Sequence, residues 1–175
     1  LAQRVQPVAQ FLAAFPANVL FPFVVIAILR FGLLPDIWLS PLMILGTQWY
    51  ILFNVIAGAS AIPTDLREAA DMFGVKGWQW WRDVALPAIF PYYVTGALTA
   101  SGGSWNASIV AEVVTWGSHR LEAHGLGAYI ANATTAGNYP QVALGIAVMS
   151  LSVLGFNRMV WRPLYAFGER RLRQS

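Results

Sequence analysis

Reactive side chains are sparse in this chain and fall in few places. Asp65, Arg67, Glu68 and Asp71 crowd into one short stretch, while Glu112 stands alone at the end of a long apolar run. There is no cysteine, which excludes disulfides, thiolate metal sites and a Cys nucleophile. His119 and His124, with Glu122 between them, make an incomplete ligand set, so they read as surface residues and no metal site is expected. The chain has neither a Gly-x-x-x-x-Gly-Lys-Ser/Thr phosphate loop nor a nucleophile with a base and an orienting acid. It is therefore expected to bind no cofactor and to catalyse nothing itself.

What remains is a set of uncharged polar residues inside apolar stretches: Gln48, Asn54, Thr95, Thr99, Ser101, Ser104, Asn106 and Ser108. Such residues are costly in lipid and are functional candidates for that reason. They can line a path and offer donors to a passing anion, which must also be able to leave. The alternative is hydrogen bonding between helices, worth about 0.6 kcal/mol per contact. Glu112 does not suit an anion path, because a carboxylate repels an oxyanion. It can pair with Arg120 or His119, satisfy backbone N–H groups where a helix breaks, or stay protonated through desolvation. It stands as a gate or structural candidate.

The elements that must position these groups are set by composition. Of 175 residues, 57% are hydrophobic and 11% charged, against about 25% charged in a soluble domain. That balance, with 8 Trp, 10 Phe and 6 Tyr, predicts an all-α, polytopic helical membrane protein with aromatic residues at the lipid interface. Four stretches are apolar enough to span: residues 11–31, 38–59, 86–106 and 142–161. The third stays apolar to Val114, about 43 Å as one straight helix, and a break is expected at Ser101-Gly102-Gly103-Ser104. In the fourth, Gly145 and Gly155 suit close helix packing. The chain opens at Leu1 without an initiator Met, inside an amphipathic pattern, and reads as an N-terminally incomplete piece.

Charge placement orients the spans. With the segment between the second and third on the cytoplasmic side, nine of the 11 basic residues lie there, with only Arg30 and Arg120 opposite. The positive-inside rule favours that orientation and puts the tail, residues 162–175, in the cytoplasm. The net charge of +3 is thus a topology signal, and no nucleic-acid partner is expected.

Between the second and third spans, residues 64–74 carry helix start and stop signals. Pro63 precedes them, Thr64 or Asp65 can cap, and Asp65 with Glu68 has capping-box spacing. Gly74 suits the left-handed position after the helix. Leu66, Ala69, Ala70 and Phe73 share one face. A helix this short is unstable alone, so its apolar face must dock on something. Ala69 and Ala70 allow close backbone approach, Glu68 offers a charged handle, and Phe73 an apolar anchor. Trp78, Trp80 and Trp81 with Arg82 would hold the segment at the headgroup level.

Glu68-Ala69-Ala70, then Gly74, then Leu86-Pro87, lying between two membrane spans, resembles the EAA signature of ABC-type import permeases. The position after the glycine, often alanine there, is Val75 here. Arg30-Phe31-Gly32, the run Trp105 to Glu112 and Gly125-Leu126-Gly127 are similar to the nitrate, sulfonate and taurine branch; that run, with the ending Trp161-Arg162-Pro163-Leu164-Tyr165, is most similar to duplicated anion permeases, of which this chain resembles the C-terminal half. The resemblance implies a type I ABC importer permease fold with N-terminal helices missing from this sequence. It implies that residues 64–74 are the coupling helix, with Asp65, Leu66, Glu68, Ala69, Ala70, Phe73 and Gly74 meeting an ATPase subunit that holds ATP and Mg. It implies a second permease half, a periplasmic substrate-binding protein and a bacterial inner membrane as partners, and a small oxyanion as cargo. A secondary transporter or channel is the competing reading. It normally needs a charged or broken-helix site at the midplane, and Glu112 alone stands for one.

Overall fold

The computed structural model describes residues 2–14 and 17–173. Its elements are α1 (Ala2–Ala14), a 3-10 turn (Ala17–Leu20), α2 (Phe21–Phe31), α3 (Pro35–Trp38), α4 (Ser40–Ser60), α5 (Thr64–Met72), α6 (Gly77–Trp80), a π-helical turn (Trp81–Ala85) and α7 (Leu86–Ala111). Then come strands β1 (Val113–Trp116) and β2 (His119–Glu122), α8 (Leu126–Thr135), α9 (Tyr139–Phe156), a second π turn (Asn157–Trp161) and α10 (Arg162–Arg173). The fold is overwhelmingly helical, as the composition requires.

Among the described residues, three helical runs are long and apolar enough to cross a membrane: Pro35–Ser60, Gly77–Ala111 and Tyr139–Phe167. The span expected over 11–31 is not one helix. Helix α1 stops at Ala14, and α2 begins only at Phe21 and is 11 residues long. Pro22 sits in the first turn of α2, where its missing N–H costs nothing and its fixed φ favours a helix start. Pro16 lies outside the described residues.

The expected break at Ser101–Ser104 does not occur, and α7 is continuous through both glycines. Two glycines cost about 2 kcal/mol of helix propensity, which flanking apolar packing overrides. Irregularity comes earlier, in the π turn before Leu86, so the helix that Leu86-Pro87 was expected to open already starts at Gly77. Likewise α9 passes through the second π turn into α10, so the tail from residue 162 is helical to Arg173. Gln174 and Ser175, the end of that tail, lie outside the described residues.

The chain forms two compact units. In the first (residues 1–13, 49–99 and 157–175), α4 and α7 cross at two glycines. A Cβ on Gly96 would lie 2.9 Å from Ile51 Cα and Tyr50 O, and one on Gly58 would lie 2.8 Å from the Tyr92 ring. Buried Ile62, Ala85 and Ile89 form a small core there, flanked by Val55 and Trp80. In the second unit (residues 14–48 and 100–156), Val25, Ile28, Leu39, Leu42, Ala111, Val114 and Ala123 make the core. There β1 and β2 pair antiparallel from Val113 with Glu122 to Trp116 with His119. Gly117, at φ +60, opens the two-residue turn, as a primed hairpin turn requires. The segment 116–124 is largely this hairpin. Gly145 packs against α8, its would-be Cβ 2.6 Å from Ile130, whereas nothing lies within 4 Å at Gly155. Within the chain, close packing is thus seen at Gly145 and not at Gly155.

Candidate functional site

Helix α5 is built almost where the sequence placed it, with different caps. Pro63 is the N-cap and makes no side-chain cap bond. Thr64 is already the first helical residue, so Asp65 falls inside the first turn and cannot close a capping box with Glu68. Asp65 contributes only through the favourable end of the dipole. The C-terminus follows the Schellman pattern: Gly74 takes φ +69, its N–H donates to Asp71 O (3.1 Å), and the Val75 N–H donates to Ala70 O (2.9 Å).

Two contacts tie α5 to its own unit. Arg67 Nη2 donates to Ala59 O at the end of α4 (3.0 Å), and Ile62 is buried beside Ala85. The apolar face divides. Ala70 is buried in the chain and Ala69 is half-buried. Leu66 is 42% exposed, Met72 81% and Phe73 83%. The same helix thus has a side spent on its own chain and an apolar edge that nothing among the described residues covers. Glu68 and Asp65 are exposed next to it. Met72 was not among the expected contacts, and its place beside Phe73 at the helix end was the available signal. Of the indoles, Trp78 is exposed, and Trp80 meets Trp81 edge to face at 5.3 Å.

The second unit holds a cleft of about 270 Å³ lined by Met43, Ser104, Trp105, Ser108, Glu112 and Leu126. Three of the expected path residues, Ser104, Ser108 and Glu112, meet here. Gln48 is half-buried on α4 and Asn106 exposed on α7, neither lining this cleft. Asn54 and Thr99 belong to the first unit, where they donate to Tyr50 O (2.8 Å) and Thr95 O (3.0 Å). The cleft hydroxyls are engaged too: Ser104 donates to Ser101 O and Ser108 to Trp105 O, each at 2.8 Å. They present lone pairs to the cleft, so donating to an anion requires each to rotate and give up one backbone bond, at about 1 kcal/mol.

Glu112 has a definite partner. Its Oε2 accepts the N–H of Ala128 (2.8 Å), in the first turn of α8. A carboxylate there satisfies a free N–H and faces the positive end of the helix dipole. Of the three expected roles the nearest is the bonding of N–H groups, but these belong to the start of another helix. Arg120 is engaged elsewhere: Nη2 bonds Glu122 (3.2 Å) and Asn132 Oδ1, while Asn132 Nδ2 donates to Glu122 Oε1 (2.6 Å). His124 is exposed but not unpartnered. Its backbone N–H donates to Asp36 Oδ1 (2.7 Å), and its Nδ1 lies 3.1 Å from the same atom.

The two motifs Trp105 to Glu112 and Gly125 to Gly127 therefore meet. A Cβ on Gly125 would lie 2.2 Å from Glu112 Oε2, and one on Gly127 2.4 Å from the Ser108 backbone. Glu112→Gln is expected to keep the bond to Ala128 through its amide oxygen and cost under about 1 kcal/mol, the dipole contribution alone. Glu112→Ala orphans the N–H and costs about 1–3 kcal/mol. Thermal unfolding of the two variants, with solute uptake in parallel, checks the order; Gln as harmful as Ala would mean that the charge itself is required.

Residues 1–162 match the family described as the binding-protein-dependent transport system inner membrane component. A nitrate import permease protein, NrtB, of Leptolyngbya laminosa is 33% identical over 112 residues, covering 64% of this chain and 38% of that protein. A bicarbonate transport system permease protein, CmpB, of Synechococcus elongatus is 39% identical over 69 residues, covering 39% of this chain and 25% of that one. A putative ABC transporter permease protein of Methanocaldococcus jannaschii is 34% identical over 73 residues, covering 42% and 27%. The chain spans well under half the length of these relatives. With a match over nearly its whole length and three helical runs fit to cross a bilayer, the chain belongs to the family of binding-protein-dependent inner-membrane transport permeases.

Proposed function

We propose that this chain is the membrane-spanning part of an ATP-driven importer of a small oxyanion, and that α5 is the element through which a separate ATPase moves it. The observation that carries this reading is the uncovered apolar edge of α5, Leu66, Met72 and Phe73, on a helix that Arg67 and the buried Ala70 fix to its own unit. A helix anchored on one side and open on the other transmits a push. Its end is set rigidly by the Schellman turn at Gly74, and Glu68 supplies a charge for a partner's basic groups. ATP and Mg belong to the ATPase. A second permease half and a substrate-binding protein complete the machine, with α5 and the tail on the cytoplasmic face of the inner membrane, as the basic-residue bias favours.

Nitrate and bicarbonate, named for the relatives, support a small oxyanion as cargo. In this reading Gln48, Asn54, Thr99, Ser104, Asn106 and Ser108 face the path in one or other state of the cycle. The hydroxyls of Thr99, Ser104 and Ser108 turn from backbone carbonyls toward the anion, while Glu112 holds α8 and does not touch cargo. Alternating access then follows from ATPase closure acting on α5.

Copurification tests the assignment. The complete transporter is expected to retain its ATPase and to take up anion only with ATP, and Glu68→Arg is expected to insert normally yet lose most of both. Uptake without ATP and without a retained ATPase would replace this reading with a secondary transporter.

A further inference from the structure

An open groove of about 650 Å³ runs along α2 in the second unit, within the size range of about 300–1,000 Å³ typical of small-molecule sites. Phe23, Ala27, Phe31, Leu33, Trp38 and Pro41 line it, and its walls are almost entirely apolar. The inward side of α2, Val25 and Ile28, is spent in the core, while Phe23 and Phe31 are 67% and 70% exposed. Arg30 lies in the last turn, three residues after Ala27 and seven after Phe23, so it shares their stripe of the helix. Among the described residues the Arg30 side chain has no hydrogen bond or ion pair. The acid nearest in sequence, Asp36, is taken by His124.

Length selects the occupant. Eleven residues of α-helix rise about 16 Å, which is one leaflet of a hydrocarbon core about 30 Å thick. A helix that fails as a span is the right length to lie beside one layer of acyl chains. At its polar end stand Arg30 and Trp38, residue types that settle at headgroup level. A guanidinium binds phosphate through paired, charge-assisted hydrogen bonds, and the groove below it offers only apolar contact.

We propose that the α2 groove is a phospholipid site, with the lipid phosphate on Arg30 and an acyl chain laid along Phe23, Ala27 and Phe31. The site would hold a lipid longer than the exchanging bulk, because it joins an ionic contact to a shaped apolar one.

Native mass spectrometry of the intact transporter complex, released from nanodiscs of phosphatidylcholine and phosphatidylglycerol, tests this. One retained phospholipid per permease chain is expected. Arg30→Gln should lower the retained fraction at least tenfold, and Ala27→Trp, which fills the groove, should do the same. Arg30→Lys keeps the charge and should retain most of it, and Leu151→Trp, on an exposed apolar surface of α9, should change nothing. Retention by both Arg30→Gln and Ala27→Trp would overturn the site, as would displacement of the adduct by millimolar inorganic phosphate. Efficient disulfide formation between Phe31→Cys in two permease chains would also overturn it, since a second copy would then cover the groove.

Discussion

Phe73→Ala is expected to weaken the hold of the permease on its ATPase by about 30-fold or more and to abolish most ATP-driven uptake, while the permease itself unfolds at nearly the wild-type temperature. The two halves of that expectation have separate causes. Phe73 is 83% exposed in the chain, so truncating it removes little internal packing, and exposed substitutions usually stay within about 0.5 kcal/mol. If the same ring is the anchor of an interface, its loss costs at least about 2 kcal/mol, the threshold of a hot spot. Gly74→Val probes the same end differently. It forces a β-branched residue into a left-handed conformation, at about 1–2 kcal/mol, and opens the turn that aims Phe73. Both variants should therefore lose ATPase affinity, but only Gly74→Val should also lose stability. Binding measured in detergent beside a thermal melt separates them. Wild-type affinity and uptake in Phe73→Ala would remove α5 as the coupling element.

The parts of this molecule that the sequence made legible are those ruled by local physics. Pro63 and Gly74 bracket α5 because a fixed φ and a free one act within a turn of where they stand. The cap inside that bracket was misplaced by one residue for Thr64 and two for Asp65, enough to turn a capping box into an ordinary first turn, because both are competent caps and only the path of the preceding chain chooses. Ser101–Ser104 went wrong for the opposite reason: its glycines have a local preference that the surrounding apolar helix outweighs. The first span was drawn from hydropathy alone, and α2 shows that an apolar run need not be one helix.

Other features needed partners distant in sequence. Ala128 stands sixteen positions after Glu112, and no pattern in either stretch announces their bond. Ala70 and Phe73 looked alike as one apolar face, yet the chain buries the first and leaves the second bare. Only packing distinguishes them. The hairpin was within reach: Val113 to Trp116 and His119 to Glu122 flank the two residues Gly117 and Ser118, and that spacing is a strong short-range signal.

Gly127→Val should be the most damaging single change in the second unit, worse than any substitution of Glu112. Its added Cβ would fall 2.4 Å from the carbonyl carbon and oxygen of Ser108 and 2.7 Å from the Ile109 nitrogen. These are backbone atoms of α7, so no rotamer change relieves the clash and α8 must back away as a body. Overpacking of this kind costs about 1–3 kcal/mol. The retreat also carries the neighbouring Ala128 N–H off Glu112, adding the roughly 1–3 kcal/mol of an orphaned group. Gly125→Ala meets the carboxylate of Glu112 at 2.2 Å, but that is the free end of a side chain and can swing aside, so only the second cost applies. Glu112→Gln keeps the bond and should be mildest. The expected order of falling melting temperature is therefore Glu112→Gln, Gly125→Ala, Gly127→Val, read by tryptophan fluorescence on the purified transporter. Uptake should fail first in Gly127→Val, because the cleft of Ser104 and Ser108 is closed on one side by Leu126 of the same helix. A Gly127→Val protein that melts with or above Glu112→Gln would show that α8 does not rest on α7 by backbone contact, and would take the cleft with it.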